Sequence, residues 1–309
     1  MEDTGHAGGD RILMIVQQIN SGLGNQMFQY VFFRLLRRNH PEVRVKADLT
    51  WFKWNNAHQG YELEKLFGIK LPEADPLEIA ITSGQFPHTI PAHRYINRVL
   101  RIFDQKYIDA HCADEISLND MINYDTRRNL YLTGYYISEV FYKDDLDEIR
   151  KIFTFSAEET SSSSVMAHHI GSVEAVSIHV RRGDYLDPIY GGKFDLLRDD
   201  YYMKAVSRMK EIYDAPHFFI FSDDKEYIKT AFDWLPAEER TIVTGNSGAD
   251  SWRDMYLMSR CRGNILANST FSTWGALLGD PAGRHVIYPS AYIAGTDSEK
   301  KTIPGWERL

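Results

Sequence analysis

The sequence predicts an α/β fold, parallel sheet with helices on both faces. Three observations carry that prediction. The chain opens strand, glycine turn, helix, strand; its second half alternates strand-like and helix-like segments; and polar residues gather where those strands end. Strands alternating with helices need crossovers, which parallel pairing accommodates. The carboxyl edge of such a sheet is where open α/β folds bind ligands.

Residues Ile12 to Ile19 are apolar and β-branched, and read as the first strand. Asn20-Ser21-Gly22-Leu23-Gly24 makes a glycine turn. Phe28, Val31, Phe32, Leu35 and Leu36 then recur at helical spacing, with Arg34, Arg37 and Arg38 toward the end and Pro41 as a stop. Val43 to Ala47 reads as a second strand. From Leu49 to Phe103 the pattern weakens, and only Tyr61 to Phe67 suggests a helical turn. Leu130 to Thr133 reads as a strand, and Ser138 to Phe153 as one helix. The serine-rich stretch from Ser156 to Ser172 reads as a linker on composition, with a loop or a frayed helix end as the alternatives. It would divide a first domain, 11–160, from a second, 161–309, with 1–10 as a disordered extension. Strands then follow at 173–180, 217–221, 241–244, 264–267 and 285–288. Helices are expected between them at 199–213, 223–232, 250–261 and 271–278.

The 309 residues are 43% hydrophobic, enough for two cored domains. A net charge of −8 argues against a general nucleic-acid binder. The sequence holds no run of about eighteen apolar residues that would span a bilayer, which leaves peripheral membrane association open. With no signal-peptide pattern, a cytoplasmic protein is expected, at the inner face of a bacterial membrane as an alternative. Cys112 and Cys261 lack metal-ligand spacing and read as free thiols.

Four strand ends carry the chemistry. Val176-Ser177-Ile178 runs into His179, Arg181, Arg182, Gly183, Asp184 and Tyr185. Paired guanidinium groups in an acidic protein suggest phosphate, whose oxygens match the guanidinium fork, or else form surface ion pairs at a strand end. Asp184 could brace one arginine. The first turn offers Gly24, Asn25 and Gln26 before a helix N-terminus, where backbone N–H groups favour an anion, or is an ordinary tight turn. Asp223 and Asp224 end the strand HFFIF, and either accept from a base or ribose or cap the next helix. Ser269, Thr270, Phe271 and Ser272 open a helix with hydroxyl and N–H donors, or form an ordinary cap. Asp145-Leu146-Asp147 has the pattern of a metal-holding pair, but lies in a charged helical stretch and reads as a solvated face. No metal site is expected.

At these residues the chain resembles the inverting α-1,2-fucosyltransferases. The likeness is carried by GLGNQMFQY from Gly22, HVRRGDY from His179, FSDD from Phe221 and ANSTFSTWGALL from Ala267, with YELEKLFGI from Tyr61. Thr273 stands where that family more often has tryptophan, and Arg262-Gly263 where a Lys-His pair is common. The resemblance implies a GT-B arrangement of two facing Rossmann-like domains. It also implies metal-independent transfer of L-fucose from GDP-β-L-fucose to the 2-hydroxyl of a galactose-containing glycan, with inversion. The alternatives are a fucosyltransferase of α-1,3 or α-1,6 linkage and a non-catalytic nucleotide-sugar or glycan-binding module. By resemblance the N-terminal domain faces the acceptor and the C-terminal domain holds GDP-fucose. Arg181 becomes the β-phosphate and leaving-group contact, with Asn25 near the transferred fucose. His179 lines the nucleotide, Arg182 is a partner held by Asp184, and Asp223 or Asp224 reads guanine. Ser269, Thr270, Phe271 and Ser272 face the pyrophosphate. No general base is named; Asp184 is one candidate, and the departing phosphate is the other.

Overall fold

The computed structural model describes residues 14–55, 58–100, 107–110, 129–155, 161–186, 196–280, 282–290 and 305–309. The chain divides into two compact units, Met1–Phe141 and Tyr142–Leu309. The expected extension at 1–10 lies outside the described residues.

The first unit holds a four-stranded parallel sheet of order β2-β1-β4-β3, with β1 Met14–Gln18, β2 Arg44–Asp48, β3 Tyr107–Ala110 and β4 Leu130–Gly134. After β1 the chain turns through Gly22 into α1, Leu23–Asn39. The apolar face of α1 supplies Phe32, Phe33 and Leu36 to a core with Ile15, Val45, Leu132 and Phe141. Among the described residues the weakly patterned stretch contains four helices: α2 Trp51–Trp54, α3 Glu62–Phe67, α4 Pro76–Ser83 and α5 His93–Leu100. α4 starts with a capping box. Asp75 accepts from the Leu77 and Glu78 N–H groups, and Glu78 accepts from that of Asp75, each at 2.9 Å.

The helix expected over 138–153 is broken. Two 3-10 turns, Glu139–Phe141 and Lys143–Asp145, precede α6, Leu146–Ile152. Adjacent residues here belong to different cores. Phe141 packs edge-on to Phe32 in the first unit, whereas Tyr142 lies 6.5 Å from the Trp274 ring in the second. The backbone leaves regular α-helical form where these neighbouring aromatics enter the two cores. The units therefore divide earlier than the expected boundary. Part of the supposed linker is helical: α7 is Ser161–Ser172, with Ser163, Ala167 and Ile170 buried.

The second unit holds a six-stranded parallel sheet of order β10-β9-β8-β5-β6-β7. Its strands are β5 Glu174–Val180, β6 Pro216–Ser222, β7 Arg240–Ile242, β8 Gly263–Ile265, β9 His285–Tyr288 and β10 Glu307–Arg308. Central β5 is buried from Ala175 to Val180, as a strand covered on both faces must be. The helices are α8 Asp199–Ile212, α9 Lys225–Ala231, α10 Trp252–Arg260 and α11 Thr270–Leu277. The fold class is the α/β, parallel-sheet one expected. Cys261 is a free, buried thiol, pushed up to about 12 by burial; Cys112 lies outside the described residues.

Candidate active site

In the second sheet the chain runs β5, β6, β7 to one side and then returns to β8 on the other side of β5. The strand order reverses between β5 and β8, and a crevice opens at such a switch point beyond the strand ends. Three of the four sequence motifs lie at the ends of β8, β5 and β6, on neighbouring parallel strands. Tyr185 ties two of them together, its hydroxyl donating to the Asn268 carbonyl at 2.7 Å.

The turn after β5 is built around Asp223. Its carboxylate accepts from the Arg182 N–H at 2.9 Å and the Gly183 N–H at 3.0 Å, and pairs with Arg181 Nη1 at 3.1 Å. A methyl group at Gly183 would sit 2.8 Å from Asp223 Oδ2, so this approach needs glycine. Arg182 lies over the Tyr227 ring at 3.7 Å, with its Nε 3.5 Å from Asp224. The expected partner of Arg182 is Asp184; the partners found among the described residues are Asp224 and Tyr227, which reach it because β6 ends directly alongside β5. The side chain of Asp184 lies outside the described residues.

Asp224 also caps α9, accepting from the Tyr227 N–H at 3.0 Å. Both carboxylates named for guanine therefore have structural work, Asp223 in the turn and Asp224 at the cap. His179 is buried, and its imidazole is held down to about 3, chiefly by burial and further by Arg181 and Lys225. It is neutral at ordinary pH, so the positive charge at this edge comes from Arg181, Arg182 and Lys225 and not from the imidazole. Its Nδ1 has no hydrogen-bond partner among the described residues, and its ring lies 5.8 Å from that of Phe271.

The hydroxyls before α11 sort into two kinds. Ser269 caps the helix, accepting from the Phe271 N–H at 3.3 Å. Ser272 donates to the Ala267 and Ser269 carbonyls, and Thr273 to that of Ser269. Those three are buried and bonded inward. Thr270 is partly exposed at the first helical position and makes no side-chain hydrogen bond among the described residues.

Sequence reasoning missed a network beside this edge. Lys225 Nζ reaches the Val243 carbonyl at 3.0 Å and Asp254 at 2.8 Å, while Asn246 donates to Asp254 at 2.8 Å. Burial raises the Asp254 carboxyl despite these partners. Only Asp224, adjacent in sequence to Lys225, hinted at it. The pair Asp145 and Asp147 lies at the start of α6, where Asp147 bonds Arg150 at 2.9 Å. Among the described residues no group of three metal-ligating side chains occurs.

The fourth motif lies at the equivalent point of the first sheet, where order reverses between β1 and β4. Ser21 after β1 and Tyr136 after β4 both have positive φ, 66° and 53°, a conformation that is costly for residues with a side chain. Gln26 is fully buried. Its amide donates to the Ser21 and Gly60 carbonyls at 2.9 Å and accepts from the Glu62 N–H at 2.9 Å. Gln29, which sequence reasoning also missed, bonds Asn20 and the Gly134 carbonyl. The helix N-terminus offered by the glycine turn already has a hydrogen-bond acceptor from the chain itself. The Glu62 carboxyl, pushed up to about 7 by burial, takes the Leu23 backbone N–H. Gly24 is buried, and Asn25 is partly exposed with its side chain unbonded among the described residues.

The model of glycosyl transferase family 11 matches residues 97–308. An O-antigen biosynthesis glycosyltransferase, WbnK of Escherichia coli, is 28% identical over 94% of this chain and 99% of its own. An α-1,2-colitosyltransferase of Escherichia coli is 28% identical, covering 86% and 87%. The human galactoside α-(1,2)-fucosyltransferase 1 is 27% identical, covering 86% and 76%. Among solved structures, POFUT1 in complex with GDP-fucose shares the fold, with a TM-score of 0.50 and 13% identity over 91% of this chain and 98% of that one.

Proposed function

The chain belongs to glycosyl transferase family 11, and from that we propose that it moves L-fucose from GDP-β-L-fucose to the 2-hydroxyl of a terminal galactoside, forming an α-1,2 linkage with inversion. The observation that carries this reading is Arg181, a guanidinium braced by Asp223 at the switch point of the second sheet. We assign the donor to the second unit and the acceptor to the first, with Asn25 facing the transferred sugar.

In the reaction the bond between fucose C1 and the β-phosphate oxygen breaks, and its electron pair stays on the phosphate. The acceptor oxygen bonds C1 from the opposite face, and its proton leaves to the departing phosphate or to Asp184. Charge grows on the β-phosphate, where Arg181, the Thr270 hydroxyl and the N-terminus of α11 can meet it. Neutral His179 offers Nδ1 as a hydrogen-bonding group without adding charge. Asp224 has the freer of the two carboxylates for a guanine edge, since Asp223 carries three donors of the turn. With guanidinium and helix charge in place, transfer needs no metal.

The test is a donor and acceptor screen with linkage determination of the product. GDP-fucose with galactose-ended acceptors is expected to give an α-1,2 product, unchanged in rate by EDTA, with GDP a far better inhibitor than ADP or UDP. The α-1,2-colitosyltransferase relative makes GDP-colitose the second donor to screen. A different linkage, binding of GDP-fucose without turnover, or EDTA inhibition reversed by Mn²⁺ would each overturn a stated part.

A further inference from the structure

Among the described residues of the first unit, the exposed large hydrophobic side chains are Trp54, Leu77, Ile81 and Tyr95, at 51%, 59%, 46% and 74%. They lie on α2, α4 and α5. α4 is apolar on two sides. Ile79, Ala80 and Thr82 are buried, while Leu77 and Ile81, one turn apart, point outward. An amphipathic helix normally turns its solvent face to polar side chains, whereas α4 exposes Leu77 and Ile81 there.

α5 follows in the same hairpin. The Phe86 N–H donates to Asn97 Oδ1 at 2.7 Å, and Asn97 Nδ2 donates to the Phe86 carbonyl at 3.0 Å, closing the turn between the helices. Its outward residues are Arg94, Tyr95 and Arg98, two cations flanking an aromatic ring. α2 joins through rings: Trp54 lies 5.3 Å from His88, and His88 lies 4.6 Å from His93.

Charge selects the occupant. The whole chain carries −8, yet from Ile79 to Phe103 the sequence contains no Asp or Glu. Of the acids flanking it, Asp104 lies outside the described residues, Asp75 caps α4, and Glu78 is bonded to Arg44 and Lys46, each at 2.6 Å. Exposed aliphatic and aromatic side chains beside arginines, with acids excluded, match the boundary of an anionic bilayer. There the rings and methyl groups enter the acyl edge, and the guanidinium groups meet lipid phosphates.

We propose that the outward face of α2, α4 and α5 docks on an anionic membrane surface. Nothing in this face depends on which sugar is transferred, so its test is separate from that of the transfer reaction. The full chain is sedimented with vesicles of phosphatidylglycerol and phosphatidylethanolamine, and with vesicles of phosphatidylcholine alone, at low and high salt. Binding is expected on the anionic vesicles at low salt, falling at least tenfold on phosphatidylcholine or in 0.5 M NaCl. Arg94→Glu with Arg98→Glu, and separately Leu77→Ser with Ile81→Ser, should each cut vesicle binding at least tenfold. Both variants should keep the wild-type melting temperature and turnover of a soluble acceptor.

As a measurement independent of those variants, brominated acyl chains should quench tryptophan emission in the wild type and less in Trp54→Phe. Absence of binding, equal binding to both vesicle types, or variants that sediment like wild type would overturn the proposal. So would a dimer that dissociates on Leu77→Ser with Ile81→Ser in the absence of lipid binding. A Trp54→Phe variant that raises KM for soluble acceptor, in a protein that binds no vesicles, would instead make this face a glycan platform.

Discussion

Arg181 and Arg182 are neighbours in the chain but are held differently. Arg181 pairs with Asp223, whose carboxylate also organises the turn, whereas Arg182 lies over the Tyr227 ring. A guanidinium fixed against a braced carboxylate can bind a growing phosphate charge more strongly than the ground state, which is what raises kcat. Lysine keeps the charge but loses the fork. Arg181→Lys is therefore expected to lower kcat by roughly a hundredfold or more, with an unchanged melting temperature. Arg182→Lys should act on stability, costing on the order of 1 kcal/mol through the lost stacking on Tyr227, with a milder effect on kcat. Kinetics and thermal melts of the two purified variants decide between these roles. If Arg182→Lys proves the more damaging to kcat, the two roles are reversed. The motif HVRRGDY was legible as a phosphate-type cluster from its residues alone. The partner of each arginine was not, because Asp223 and Asp224 arrive from a strand some forty residues later and meet the turn only through β5–β6 pairing.

At the scale of the element, the glycine turn and α1 are clamped by the stretch YELEKLFGI. The Glu62 main chain bonds Gln26, and its carboxyl takes the first N–H of α1. A helix N-terminus favours an anion, but here burial outweighs that N–H and Lys65, so the carboxyl stands raised from 4.5 to about 7. The folded state thus holds a proton that the unfolded state releases. The stability contributed by this group is fully present below about pH 4.5 and is lost as pH rises through about 7. Glu62→Gln removes the titration while keeping an acceptor for the Leu23 N–H. Wild type should lose on the order of 1–3 kcal/mol more stability than Glu62→Gln between pH 5 and pH 8. Denaturant unfolding at the two pH values measures this, and equal pH dependence in both proteins would mean that Glu62 titrates normally. The turn itself could be read from Gly22 and Gly24. Its clamp could not, because a glutamate in a short amphipathic segment carries no local mark of burial. The capping box Asp75-Pro76-Leu77-Glu78 is different: it was written in the sequence, but lay in a stretch whose apolar period is too irregular to suggest a helix.

At the scale of the whole molecule, two parallel sheets each reverse strand order once, and each reversal carries motif residues beyond the strand ends. Alternating strands and helices made the sheets legible. The division between units did not follow composition. Serine-rich sequence from Ser161 forms a helix, while the change of core occurs at aromatic neighbours, Phe141 and Tyr142. If the donor belongs to the second unit, GDP alone should act on that unit. A ligand that binds only the folded form at a hundred times its Kd adds about 2.7 kcal/mol to the stability of what it binds, equivalent to roughly a hundredfold slower exchange for amides that open only on unfolding. Hydrogen exchange with and without GDP is therefore expected to slow across β5, β6 and β8. The local effect should be largest in the turns at 179–186, 222–227 and 268–273, with β1 and β2 changing far less. Protection concentrated at 20–26 would move the nucleotide to the glycine turn of the first unit. Protection at 244–254 exceeding that at 222–227 would transfer recognition of the base from Asp224 to the Lys225–Asp254–Asn246 network.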